Sequence, residues 1–89
     1  MAYIAGIVEG FVLQNLIVAI ARGLVDDKEA VSVTVDEPDA DGITIYHLHV
    51  AQEDMGRVIG KQGRIAKAIR TLVRAAANKA EQKVAVEID

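Results

Sequence analysis

The chain has 89 residues, 52% of them hydrophobic, with a formal net charge of −3; this fits one small domain and excludes a disordered tail. It has no cysteine, and its aromatic residues are Tyr3, Phe11 and Tyr46. Disulfide frameworks, thiolate zinc sites, cysteine nucleophiles and wide base-stacking platforms are therefore excluded. The charge is sharply divided: Arg57, Lys61, Arg64, Lys67, Arg70, Arg74 and Lys79 give the window 57–80 a charge of +7 with no acid, and the remainder carries −10. That window presents a local positive field suited to an anionic partner.

Residues 1–25 are strongly apolar, but Glu9, Gln14, Asn15 and Arg22 interrupt the run and no base precedes Arg22. A secretory signal and a stable membrane span are not expected. Residues 1–13 read as an apolar extension ahead of the domain, and Gly6 and Gly10 make its first ten residues poor helix formers. From Leu13 the apolar positions Leu13, Leu16, Ile17, Ile20 and Leu24 define one helical face, which ends at Asp26 and Asp27. Val31, Val33 and Val35 alternate with polar residues as a half-buried strand. Glu37 to Gly42 is a turn, and Ile43 to Val50 is a second strand with Thr44, Tyr46, Leu48 and Val50 on one face and Ile43, Ile45, His47 and His49 on the other. A short helix over 53–59 follows, with Met55, Val58 and Ile59 facing the core and Glu53 and Asp54 in its first turn. Beyond Gly60-Lys61-Gln62-Gly63, a helix over 64–79 places Ile65, Ile69, Leu72, Val73 and Ala76 on its apolar face and Arg64, Lys67, Arg70 and Arg74 on the other side. A strand over 83–88 closes an α-β-β-α-α-β order, which predicts an α+β fold: a three-stranded sheet covered by helices on one face.

The loop between the last two helices carries the chemistry. Gly60 and Gly63 permit unusual backbone angles and close approach of another backbone. The helix that opens after Gly63 offers free N–H groups to an anion, and Lys61, Arg57 and Arg64 surround that point with charge. The basic helix face then extends the field along a path, which suits a linear polyanion better than one phosphate. Four letters of Gly-x-x-Gly have almost no specificity alone; Val58 and Ile59 before them, the bracketing cations and the basic helix after them supply the context.

In that context the segment from Val58 to Arg70 resembles the motif of a K-homology (KH) RNA-binding domain. The element order resembles the type II arrangement, a single KH domain with a mixed sheet. The stretch from Glu53 to Thr71, with Leu24-Val25-Asp26-Asp27 and the ending Val84-Ala85-Val86-Glu87-Ile88, is similar to the KhpA family of small bacterial one-domain proteins. The resemblance covers residues 14–89; Ala66 stands where many KH domains carry a large aliphatic residue, and Ile65 comes one position earlier. It implies a non-enzymatic, cytoplasmic protein that grips short single-stranded RNA at the loop, as a post-transcriptional regulator or RNA chaperone linked to cell growth and shape. Arg57, Gly60, Lys61, Gln62, Gly63, Arg64, Lys67 and Arg70 are the expected RNA-binding residues, in a groove between the loop with its helices and the second strand.

The alternative is a protein-interaction module, since Ala68, Leu72, Val73, Ala75, Ala76 and Ala77 exceed what a small sheet covers. The resemblance implies the same surface: homodimers, or pairing with a larger KH-containing protein of the KhpB (Jag) type. No cofactor, catalytic residue or metal site is expected. His47 and His49 could ligate an ion, but no third ligand of suitable spacing accompanies them in sequence. Asp39-Ala40-Asp41-Gly42 has its glycine misplaced for a calcium loop. The one serine, Ser32, lies in a strand without a histidine pattern beside it.

Overall fold

The structure, a computed structural model, describes residues 2–79 and 81–89, with side chains from Val12 onward except at 80. Its elements are α1 (Ala2–Arg22), β1 (Ser32–Val35), β2 (Thr44–His49), α2 (Met55–Ile59), α3 (Arg64–Lys79) and β3 (Val84–Ile88). Short 3-10 turns at Lys28–Ala30, Gln52–Asp54 and Lys61–Gly63 join them. The helix expected from Leu13 begins at Ala2; its earlier side chains, and with them the role of an apolar extension, lie outside the described residues.

The sheet is mixed, in the order β1-β2-β3. β1 runs antiparallel to β2 (Val33 opposite Leu48, Thr34 opposite His47), and β3 runs parallel to β2 (Tyr46 beside Val86, His47 beside Glu87). A parallel neighbour needs a long crossover, which α2 and α3 supply. Side chains alternate as a strand requires: Tyr46, Leu48 and Val86 are buried against the helices, while Thr34, His47, His49, Glu87 and Asp89 share the bare face. On that face Asp36 Oδ2 lies 2.7 Å from His47 Nε2, and this bond is the main cause that raises the imidazole pKa above its ordinary value, against a smaller opposing effect of burial.

Ile17, Leu48, Val58 and Val73 are fully buried and Ile69 nearly so; they join α1, α2, α3 and the central strand in one core. Each such side chain contributes about 1.5–3 kcal/mol by leaving water. Three residues expected on buried faces are exposed: Leu72 at 56%, Val35 at 44% and Ile59 at 38%. The buried stripe of α3 runs through Ala66, Ile69, Val73 and Ala77, and this small-residue side lets the helix sit close to its neighbours and turns Leu72 outward. The acidic turn is structural: Asp39 Oδ1 accepts the N–H groups of Asp41 and Ile43 at 2.9 and 3.0 Å.

Both sheet edges are guarded. Thr44 donates to Lys83 O and Asp89 to Leu48 O, so Val84, Val86 and Ile88 turn their backbone groups to the open side of β3. Arg70 Nε donates to Val86 O there at 3.2 Å. On the other edge Gln14 Nε2 donates to Val33 O at 3.1 Å.

Candidate nucleic-acid interface

α2 is five residues long and stops at Gly60, whose φ 76, ψ 176 conformation is essentially open to glycine alone. A Cβ placed on Gly60 would stand 2.6 Å from Ile65 Cγ1, so the first turn of α3 packs directly on the bare glycine. Gln62 (φ 58) and Gly63 (φ 75) also hold positive φ, and a Cβ on Gly63 would meet nothing within 4 Å. The chain thus folds back sharply at Gly60 and leaves open space above Gly63. The loop is closed by Gly60 N–H to Gly56 O at 2.9 Å, Gly63 N–H to Gly60 O at 3.2 Å and Arg64 N–H to Lys61 O. Among the described residues, no backbone carbonyl accepts the N–H groups of Lys61 and Gln62, so they are available to an acceptor from outside.

The expected cations fall into two groups. Lys61, Arg64 and Lys67 are exposed and form no ion pair among the described residues; Arg64 Nη2 reaches Gln62 Oε1 at 3.4 Å. Arg57 is occupied elsewhere: Nη2 lies 3.0 Å from Asp26 Oδ2 and Nη1 donates to Asp26 Oδ1 at 3.2 Å, with Asp54 Oδ1 3.8 Å from Nε. Its charge is partly neutralised, and it clamps α2 to the segment after α1. Arg70, on the guarded edge of β3, shows which way the basic side of α3 faces. Lys67 and Arg74, one turn before and after it, flank the same edge.

This corrects the expected groove wall. β2 is the central strand with both backbone edges paired, so the strand whose open edge faces the basic side of α3 is β3. Asp54 and Ile65 were missed as positioning residues. Asp54 is 3% exposed, and its carboxylate accepts the N–H groups of Asp26 at 3.2 Å and Asp27 at 3.1 Å. The bond from Asp27, then that from Asp26 and the nearby charges of Arg57 and Lys28, hold its pKa below the ordinary value, against the opposing effect of burial. An acid before a helix reads as a dipole partner in sequence; only the fold shows that it ties the end of α1 to the root of the loop.

A shallow concavity lined by Asp41, Gly42, Thr44, Glu81, Gln82 and Lys83 lies at the end of the sheet where β2 and β3 begin. It carries more acid than base and does not suit a polyanion. Among the described residues, no helix is long and apolar enough to cross a membrane.

Comparison with known proteins gives a consistent family. A family model described as KhpA/KhpB, KH domain, matches residues 14–88. The RNA-binding protein KhpA of Listeria monocytogenes serovar 1/2a is 53% identical over 76 residues, which is 85% of this chain and 97% of the relative. Its namesake in Caldanaerobacter subterraneus subsp. tengcongensis is 56% identical over 74 residues, 83% of this chain and 96% of the relative. That of Treponema pallidum is 48% identical over 75 residues, covering 84% and 91%. A crystal structure of a variant of Aquifex aeolicus Era superposes with a TM-score of 0.60 at 16% identity, over 86% of this chain and 29% of Era, and shares the fold alone.

Proposed function

The chain belongs to the KhpA/KhpB KH-domain family, and from that premise we propose that it binds single-stranded RNA at the Gly60–Gly63 loop, as a binding module and not an enzyme. The observation that carries this reading is the open, positive-φ loop with the cations Lys61, Arg64 and Lys67 above it. A phosphate at the loop would accept the N–H groups of Lys61 and Gln62 while Gly63 lets the sugar-phosphate chain come close. The next phosphates would follow Lys67 and Arg74 along α3, so that the strand lies between α3 and the edge of β3. Arg70 shapes that edge, and Arg57 positions α2. With few aromatic residues, bases would be read by groove shape and edge hydrogen bonds, about four nucleotides at a time. The binding unit is residues 14–89, with 1–13 an apolar extension, and its role is that of a cytoplasmic post-transcriptional regulator or RNA chaperone.

The test is a fluorescence-anisotropy titration of the full chain with short unstructured RNA at two salt concentrations. It is repeated with a Lys61→Asp, Gln62→Asp double variant whose fold is verified by circular dichroism. The expected result is salt-sensitive binding that the variant loses by at least about tenfold, since two anions then face the phosphate path. Equal binding by both proteins would remove the loop from the site.

A second reading rests on exposed apolar surface: Leu72 is 56% and Val12 57% exposed, with Ala68 and Ala75 exposed on the same side of α3 as Leu72. This surface would support self-association or pairing with a larger KH protein. A Leu72→Asp variant that keeps RNA binding but sediments as a smaller species would support it. Unchanged sedimentation would remove it.

A further inference from the structure

The bare face of the sheet carries a cluster that the RNA-binding reading does not use. Parallel pairing sets Glu87 beside His47, and Asp89 follows on the same face. His47 Nδ1 lies 3.5 Å from Glu87 Oε2 and 3.5 Å from Asp89 Oδ2. The second imidazole stacks on the first, with ring centroids 6.4 Å apart and planes 15° apart, and puts its own Nδ1 3.6 Å from Asp89 Oδ2. Donor atoms of His47, Glu87 and Asp89 all lie within 4.8 Å of one another.

One feature distinguishes this group from a chance gathering of surface charge. Asp36 Oδ2 holds His47 Nε2 at 2.7 Å, and a carboxylate can only accept, so the proton is on Nε2 and Nδ1 is the atom turned to the two acids. A carboxylate behind a histidine is the usual device that orients a metal-binding imidazole. Donors about 2.0–2.1 Å from a tetrahedral ion lie roughly 3.4 Å from each other, close to the 3.5 Å that separates His47 Nδ1 from each of the two acids.

We propose that His47, Glu87 and Asp89, with water completing the coordination, form a binding site for a divalent transition-metal ion such as Zn2+. Mixed imidazole and carboxylate donors favour that class over Mg2+ or Ca2+. His47 is 21% exposed and the two acids about half exposed, so the site is open and binds reversibly. It lies on the sheet face opposite the helices and is independent of the RNA groove. Spacing within one strand cannot reveal it, because two of its donors come from a strand about forty residues later.

The test uses tag-free, chelator-stripped full chain, titrated with ZnCl2 and separately with MgCl2 by calorimetry, and followed by NMR of the histidine rings. One Zn2+ per chain at micromolar affinity is expected, with the His47 ring signals moving under Zn2+ and not under Mg2+. His47→Gln and Asp89→Asn should each weaken binding at least tenfold and Asp36→Asn by a similar or smaller factor, whereas Glu81→Gln should not. Absence of heat with unmoved ring signals would overturn the proposal. So would equal Zn2+ binding by the wild type and the His47 and Asp89 variants. The ring signals of the unsubstituted chain decide the matter if a variant fails to fold.

Discussion

The two loop glycines do different work, and substitution separates them. At Gly60 an added Cβ meets both a forbidden backbone conformation and the Ile65 side chain at 2.6 Å. Gly60→Ala should therefore lower stability by about 2–3 kcal/mol or more in urea unfolding. Gly63 has φ 75 but open space around it, so Gly63→Ala should cost only about 1 kcal/mol and act chiefly on RNA affinity, where the new methyl intrudes on the phosphate path. Equal stability losses at the two positions would contradict this division. Gly-x-x-Gly was legible in the sequence as a tight turn that needs unusual backbone angles, but its asymmetry was not. That depends on Ile65 folding back over Gly60 across the turn, a contact that no periodicity encodes.

At the scale of elements, the loop is held from below by α2, and α2 by Asp54. The folded state favours the ionised form of Asp54, whose ordinary pKa of 3.8 is lowered. Its contribution is thus complete above about pH 4 and is lost as pH falls through the lower folded value. Asp54→Asn should lower the melting temperature at neutral pH by several degrees and flatten the acid limb of the stability curve. An acid limb identical to that of the wild type would show that other carboxylates control it. The element order, the strand faces and the extent of α3 were all readable from apolar periodicity, because each buries one face. Leu72 matches the period of α3 by hydrophobicity, but Ala66 and Ala77 take the closest positions of that helix against the core, and small residues carry little weight in such a pattern. Ile59 is the last residue of α2, where Val58 is the one that is buried. Likewise Arg57 and Arg70 read as free cations, since the acids and the carbonyl that engage them are distant in sequence.

For the molecule as a whole, the dominant fact is a charge separation of +7 in 57–80 against −10 elsewhere. The net charge therefore predicts the wrong sign for the surface an RNA would meet. Lys61, Arg64 and Lys67 remain unpaired among the described residues, and each phosphate neutralised on a single strand contributes about −0.7 to the slope of log affinity against log salt. A slope of about −2 is expected, steepening if Arg74 also engages. A slope near zero would mean that the protein recognises RNA without its backbone charge.

The guards on the sheet edges reach further than local hydrogen bonding. With a guanidinium over Val86 O on one side and an amide over Val33 O on the other, each margin has one carbonyl already engaged, which hinders pairing by an incoming chain. Growth by stacking one molecule onto the next, the route to open-ended fibres, is thereby discouraged. Any association through the helical side would leave these margins untouched.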